Sequence, residues 1–135
     1  MRVWRCVHDA FLSEAWAGEG AARHGGRFNR VGDPMVYTSA EAALAVLEVL
    51  AGNVTSMDLV DWRLLAADLP DDAVREAPRG DPVEAGRAFL RSGALAMRVP
   101  SVIVPGVNVL LNPASPAWDQ VHVRPETPLD PRLWR

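Results

Sequence analysis

Apolar residues recur along the chain in short runs, and Gly, Pro and polar turns separate these runs from one another. Runs of four to eight apolar or alternating residues bounded by turn residues are typical of β-strands. Strands are predicted at residues 2–7, 35–38, 59–65, 94–99, 101–104, 108–111 and 121–124.

A helix is predicted over residues 40–51, with Ser39 as its N-cap and with Gly52 and Asn53 closing it. Apolar residues cover most of its circumference, which predicts a largely buried helix. Glu48 lies on the narrow polar stripe that remains. That stripe faces either solvent, as charge on a helix usually does, or a polar cavity, and spacing alone leaves both open.

A second helix begins at Asp81-Pro82-Val83-Glu84, which supplies an N-cap, a proline at the first helical position and a capping-box acid, and it ends at Gly93. Residues 10–17 could form one or two helical turns, and the glycines that follow predict a shaped loop up to residue 26. Residues 69–82 read as a polar loop, and a turn is predicted at residues 32–34.

Strands outnumber helices without strict alternation, so the sequence predicts an α+β fold with a mixed sheet. The length of 135 residues and the 49% hydrophobic content suit a single domain over residues 1–135. Its core is expected at about residues 4–124, with residues 125–135 as a surface tail.

Charge and composition narrow the classes of function. The net charge of −3 gives no general electrostatic attraction to nucleic acid or anionic lipid, whose binding proteins usually carry a basic patch. The lone Cys6 cannot form an internal disulfide, and the N-terminus lacks the apolar core of a signal peptide. The longest apolar run is also too short to span a bilayer, so the protein is expected in the cytoplasm. The glycosylation sequon at residues 53–55 is read as a chance match, because no secretion signal is recognised.

Several common catalytic motifs are absent. The glycines of residues 18–26 do not follow the dinucleotide-binding GxGxxG spacing, and a chain without lysine has no P-loop. His8, His24 and His122 lack the spacing of zinc ligands, so no metal site is predicted. No GxSxG motif marks a hydrolase nucleophile.

The candidate catalytic and binding residues lie mainly in two blocks of sequence. These are GGRFNRVGDPMVYTS, before the first long helix, and RVPSVIVPGVNVLLNP, near the C-terminus. Gly25 and Gly26 would let a ligand approach the backbone, and Arg27 could bind a phosphate or carboxylate. For each residue alone, an ordinary structural role is equally open: Arg27 on a surface loop, Tyr37 in the core, and Ser and Asn at turns.

Taken in order, WRCV, GEGAARHGGRFNRVGDPMVYTSAEAALAVLEVL and RVPSVIVPGVNVLLNP resemble the RES domain family, over about residues 4–124. The resemblance implies a fold like the ADP-ribosyltransferase core and a toxin that consumes NAD+ by hydrolysis or phosphorolysis. It also implies an Xre-like antitoxin as protein partner in a hetero-oligomer. NAD+ would be the substrate, with no cofactor, and neither nucleic acid nor a membrane would be bound directly.

The resemblance also assigns roles to six residues. Glu48, Arg27 and Ser101 would be catalytic, and the substrate-binding residues would be Arg5, Arg27, Tyr37, Ser101 and Asn112. Two positions depart from the family pattern. Cys6 stands where an aromatic is frequent, and the closing NPxHP element lacks its histidine, which puts substrate positioning and the choice of acceptor in doubt.

The chemistry agrees with these assignments, because loss of nicotinamide from NAD+ leaves positive charge on the ribose that one carboxylate can stabilise. Nicotinamide leaves as a neutral molecule, so no general acid is required. Two alternatives stay open: a mono-ADP-ribosyltransferase that modifies a cellular protein, and a noncatalytic module that binds NAD+.

Overall fold

The computed structural model describes residues 1–52 and 58–129, with only the backbone of Asp58. Within these residues, a mixed sheet of eight strands forms the centre of the fold. The strands are β1 (Arg2–His8), β2 (Val36–Ser39), β3 (Trp62–Asp68), β4 (Val74–Glu76), β5 (Ala96–Pro100), β6 (Val107–Leu111), β7 (His122–Val123) and β8 (Thr127–Leu129). Their order is β4-β5-β6-β2-β1-β3-β7, with β8 also paired to β3. The β4–β5 pair is parallel and the other pairs are antiparallel.

The described residues also form three α-helices, α1 (Glu19–His24), α2 (Ala42–Ala51) and α3 (Pro82–Ser92). As predicted, α3 begins where the Asp81 carboxylate accepts a bond from the Val83 amide at 3.1 Å, and it ends at Gly93 with φ of +76°. Short 3-10 turns lie at Asp9–Glu14, Asp58–Asp61, Asp71–Ala73 and Trp118–Gln120. Among these helices, none has the length and hydrophobicity that a bilayer crossing requires. The α+β class is confirmed.

The start and the burial of α2 differ from the prediction. Ser39 is the last residue of β2 rather than an N-cap, and Glu41 precedes the helix without a side-chain cap. The helix ends before Gly52 as expected, while Asn53 and the sequon at residues 53–55 lie outside the described residues. Only Leu44 and Ala45 of α2 are buried. The prediction of a largely buried helix is wrong, because α2 covers the sheet from one side.

Turn geometry explains the other differences. The strand predicted at residues 59–65 begins at Trp62, because Asp58–Asp61 forms a 3-10 turn. Residues 101–104 form a loop between Pro100 and Pro105 instead of a strand. The loops predicted at residues 18–26 and 69–82 contain α1 and β4, so both predictions missed a short element. Residues 10–17 lie partly in the 3-10 turn at Asp9–Glu14.

The segment after Pro125 is not wholly a surface tail. Thr127–Leu129 pairs with β3, and the side chain of Leu129 is buried against Cys6 and Ala45. Residues 130–135 lie outside the described residues. Thr127 and Pro128 are exposed as predicted, but surface placement is wrong for Leu129, because this apolar residue completes the core under α2.

The sheet is interrupted beside β1. This strand pairs with β3 along its whole length, but it pairs with β2 only where Trp4 lies opposite Ser39. Beyond Trp4, the edge of β1 from Arg5 to His8 therefore has no strand on the β2 side among the described residues. The interruption leaves room for a cleft in the middle of the sheet.

Candidate functional site

A cleft of about 220 Å³ opens where β1 and β2 separate, and we call it the Glu48 cleft. Strands β1, β2 and β6 supply one part of its wall and α2 supplies the other. The lining residues are Trp4, Arg5, Cys6, Tyr37, Thr38, Ser39, Ala45, Glu48, Val49 and Asn108.

The carboxylate of Glu48 is held on one side only. Its Oε1 accepts hydrogen bonds from the hydroxyl of Ser101 at 2.9 Å and from the Nδ2 of Asn108 at 2.7 Å. The described residues give Oε2 no partner. The polar stripe of α2 therefore faces a polar cavity, and within the described part of the chain only one of the two carboxylate oxygens is bonded.

Asn108 is a part of this site that the sequence did not predict. The Ser39 hydroxyl donates to Asn108 Oδ1 at 2.8 Å, which turns the Nδ2 group toward Glu48. Ser39 and Asn108 are neighbours across the β2–β6 pair. The available signal was polar residues at strand ends, but only the register shows that they meet.

Ser101 is fixed by its own loop. Its hydroxyl also accepts a bond from the Ile103 amide at 3.1 Å, and its backbone amide donates to the Gly106 carbonyl at 2.9 Å. Because the hydroxyl oxygen accepts from the Ile103 amide, the hydroxyl proton is the one donated to Glu48. Sequence reasoning predicted that Ser101 belongs to the site, and the structure brings the two side chains together.

Arg5 crosses the gap between β1 and β2. Its Nη1 donates to the Tyr37 carbonyl at 2.9 Å, while Nε is buried and has no hydrogen-bond partner among the residues that the structure describes. Burial lowers the pKa of the Arg5 guanidinium, which nevertheless stays charged because free guanidinium titrates far above neutral pH. A buried cation with an unused donor is suited to bind an anionic group.

Arg27 lies at the rim and does not line the Glu48 cleft. Its Nη1 donates to the Pro100 carbonyl at 3.2 Å, next to Ser101 in the chain. The guanidinium carbon is 5.1 Å from the ring centroid of Phe28. The side chain is exposed, so this cation is placed to meet a ligand at the mouth of the cleft rather than at its base.

The hydroxyl of Tyr37 is committed to the loop before β2. It accepts a bond from the Phe28 amide at 3.0 Å and donates to Asn29 Oδ1 at 2.6 Å. Burial raises the pKa of this phenol, which remains protonated at neutral pH. Only the ring of Tyr37 is available to a ligand in the cleft.

Residues 25–33 form a loop that we call the Asn29 loop. Asn29 is 2% exposed, and its Nδ2 donates to the carbonyls of Ala21, Arg30 and Asp33. A Cβ at Gly26 would lie 2.6 Å from the Tyr37 hydroxyl oxygen, so a glycine is required there for close packing. The two-glycine block thus shapes the loop around Tyr37.

Asn112 is placed away from the cleft. It is 1% exposed, its Nδ2 donates to the Leu90 carbonyl at 3.3 Å, and its Oδ1 accepts from the Ala114 amide at 3.1 Å. It does not line the Glu48 cleft. These bonds join the end of β6 to the end of α3, so the structure gives Asn112 a role in packing and no contact with the predicted site.

Cys6 lies in the cleft wall, but its thiol is unreactive at neutral pH. Burial raises the pKa of its thiol to about 11, so the thiol is protonated at neutral pH and is a poor nucleophile. Across residues 1–52 and 58–129, no three His, Cys, Asp or Glu side chains group in the manner of metal ligands.

The RES domain family matches residues 2–132 of this chain. Toxin Res of Photorhabdus laumondii subsp. laumondii is 33% identical over 128 residues, covering 84% of this chain and 82% of the relative. Toxin Res of Yersinia enterocolitica is 32% identical, covering 98% and 99%. The Prs ADP-ribosylating toxin of Sphingobium sp. is 33% identical, covering 98% and 96%.

A solved structure shows the same fold. One chain of the M. tuberculosis MbcT-MbcA toxin-antitoxin complex superposes with a TM-score of 0.75 at 23% identity, covering 98% of this chain and 86% of that one.

Proposed function

The chain belongs to the RES domain family, and from the geometry of the Glu48 cleft we propose that it is a toxin that cleaves the nicotinamide–ribose bond of NAD+. The observation that carries this proposal is the Glu48 carboxylate, with Oε1 held by Ser101 and Asn108 and with no partner for Oε2 among residues 1–52 and 58–129. The relatives named as toxins support the first part of the proposal.

In the proposed reaction, the bond between the pyridinium nitrogen and the ribose carbon breaks. Both bonding electrons go to nicotinamide, which leaves as a neutral molecule, and the positive charge passes to the ribose. Glu48 stabilises that charge through its free oxygen, because a carboxylate fixed in a cleft needs no reorganisation as the charge develops. An oxygen of water or phosphate then supplies the electron pair for a new bond to the ribose carbon. If that oxygen carries a surplus proton, as water does, the proton is released to solvent.

The other residues would bind and orient the substrate. Arg5, with its unpartnered Nε, would hold the diphosphate, and Arg27 would meet it from the rim. The ring of Tyr37 would pack against nicotinamide. Ser101 acts through Glu48 in this scheme, because its proton is donated to that carboxylate.

The protein partner of the toxin is proposed to be an Xre-like antitoxin, in a hetero-oligomer within the cytoplasm. The structural neighbour comes from a toxin-antitoxin complex, which supports an antitoxin partner. Co-purification of this chain with the product of an adjacent reading frame tests the pairing. Monomeric toxin in the presence of that product would contradict it.

A second candidate function is the transfer of ADP-ribose to a cellular protein. It is favoured by the Sphingobium relative, which is named an ADP-ribosylating toxin. Labelled NAD+ incubated with cell lysate would mark a protein band in that case, with little free ADP-ribose. A noncatalytic module would bind NAD+ and release no nicotinamide.

The proposed cleavage is tested by incubating purified protein with NAD+ and following free nicotinamide, with and without phosphate and lysate. We expect release of nicotinamide in stoichiometric amounts with free or phosphorylated ADP-ribose. Release that requires lysate would favour protein modification instead, and no release under any of these conditions would contradict NAD+ cleavage.

A further inference from the structure

A cavity of about 540 Å³ lies beside the Glu48 cleft, along the unpaired edge of β1. The 3-10 turn Asp9–Glu14 and the helix α1 enclose it, and we call it the Phe11 pocket. Its lining includes Arg5, His8, Phe11, Glu14, Arg23 and Trp62. The cleavage chemistry described above uses none of these residues except Arg5.

Arg5 lies between the two cavities, because it lines both, as does its neighbour Cys6. Its Nε is the buried side-chain nitrogen that has no partner in the part of the chain that the structure describes. A ligand that extends from the Glu48 cleft into the Phe11 pocket would therefore lie close to this cation. A diphosphate between two nucleoside halves would place its negative charge at that point.

The pocket has an aromatic wall. The ring centroid of His8 lies 5.5 Å from that of Trp62 and 6.4 Å from that of Phe11, both in edge-to-face geometry. Phe11 remains 53% exposed, although large aromatic rings are usually covered. An exposed aromatic ring in a concave wall is a suitable surface for stacking a nucleobase.

The charges at the far end of the pocket are paired. Arg23 Nη2 lies 2.5 Å from a Glu14 oxygen, and its Nη1 lies 3.6 Å from a Glu19 oxygen. This arginine is therefore neutralised by two acids. The end of the pocket away from Arg5 suits an uncharged base and ribose better than an additional phosphate.

We infer that the Phe11 pocket binds the adenosine half of NAD+, with the diphosphate at Arg5 and the nicotinamide riboside half in the Glu48 cleft. This inference rests on the proposed NAD+ cleavage. A third cavity, of about 330 Å³, also reaches Arg5 and is lined by Gly20, Gly25, Gly26 and Tyr37. Tyr37 is its one aromatic ring, and the proposed reaction already uses that ring to pack against nicotinamide, so the Phe11 pocket is the better match for a purine.

The test compares AMP, the adenosine half alone, as a ligand of wild-type protein and Phe11→Ala, with affinity measured by calorimetry. Loss of one base–aromatic stack should weaken AMP binding about 10-fold. Val123→Ala is the matched control, since Val123 is also 53% exposed but lies on β7 outside the pocket. It should leave AMP affinity unchanged.

Two further variants separate stacking from folding. Phe11→Leu keeps an apolar side chain and should still lose AMP affinity, whereas Phe11→Trp should keep it. Equal AMP affinity in wild type, Phe11→Ala and Phe11→Leu would overturn the inference. Adenosine bound in the third cavity would give this result, because Phe11 does not line that cavity.

Turnover provides an independent readout. If nicotinamide mononucleotide is cleaved, Phe11→Ala should raise KM for NAD+ and leave kcat/KM for the mononucleotide unchanged, because the mononucleotide has no adenosine. An equal loss for both substrates would contradict the inference. A wild-type protein that binds AMP through Phe11 but cleaves neither substrate would instead contradict the proposed function.

Discussion

The Glu48 cleft and the Asn29 loop are both rich in polar groups, but they use them differently. In the loop, the Asn29 amide is fully engaged with three carbonyls and the Tyr37 hydroxyl. In the cleft, one oxygen of Glu48 and the Nε of Arg5 have no partner among the described residues. The difference indicates that the loop's polar groups maintain shape, while those of the cleft retain bonding capacity for a ligand.

The largest effect is expected where the loop contacts α3. A Cβ at Gly86 would lie 1.7 Å from the Phe28 carbonyl oxygen, so Gly86→Ala must displace the loop backbone. We expect the free energy of unfolding to fall by at least about 4 kcal/mol, measured by denaturant unfolding. Gly20→Ala is the control, because a Cβ there meets no atom within 4 Å. Equal stability of the two variants would refute the close packing.

Next in size is Asn29→Ala, which removes the amide donor from three carbonyls and the acceptor of the Tyr37 hydroxyl proton. A loss of about 2–4 kcal/mol in stability is expected. If the loop only maintains shape, kcat for NAD+ should change little at low temperature, where the variant remains folded. Active-site titration gives the concentration of folded protein by which the rate is divided. A loss of kcat well beyond the loss of folded protein would show that the comparison between loop and cleft is wrong.

In the cleft, Asn108→Leu should show the opposite pattern. Losing a donor that orients Glu48 should lower kcat for NAD+ by about 10-fold to 100-fold with little change in KM or unfolding. Ser39→Ala, which removes only the group that orients Asn108, should have a smaller effect. Asn112→Leu is the matched contrast and should reduce stability while sparing kcat. A kcat for Asn108→Leu equal to wild type would remove Asn108 from the site.

The smallest effect concerns Cys6 and alkaline pH. Burial raises the pKa of its thiol from 9.0 to about 11, so the folded protein keeps a proton that the unfolded chain releases. This stabilising contribution is complete below pH 9 and is lost as the pH rises to about 11. Between pH 9 and about pH 11, Cys6→Ala should therefore lose less stability than wild type, as measured by thermal unfolding at each pH. Parallel pH curves would contradict the buried thiol.

Local signals predicted much of the fold. The N-cap, proline and glycine of α3 act within a few residues of one another, so Asp81 and Gly93 marked its ends correctly. Short elements such as α1 and β4 were missed because glycines and prolines around them are stronger local signals than their own apolar residues. Ser39 was assigned to the wrong role because a strand end and a helix N-cap favour the same residue type.

The candidate site was predictable in part. The resemblance to the RES domain family assigned site roles to Glu48, Arg5, Tyr37 and Ser101, and the structure places these residues in or beside the cleft. Asn108 was missed because its contact depends on the β2–β6 register. Arg27 lies at the rim and Asn112 lies in the packing under α3, which their positions in the sequence could not reveal.

The central claim is that the Glu48 carboxylate stabilises charge on the ribose of NAD+. Glu48→Gln tests it most directly, because the amide keeps the shape of the side chain and removes its charge. Nicotinamide release and NAD+ affinity should be measured on the same preparations of variant and wild type. We predict that release falls by at least about 100-fold while affinity stays within a few-fold. Equal release by the variant would contradict the account.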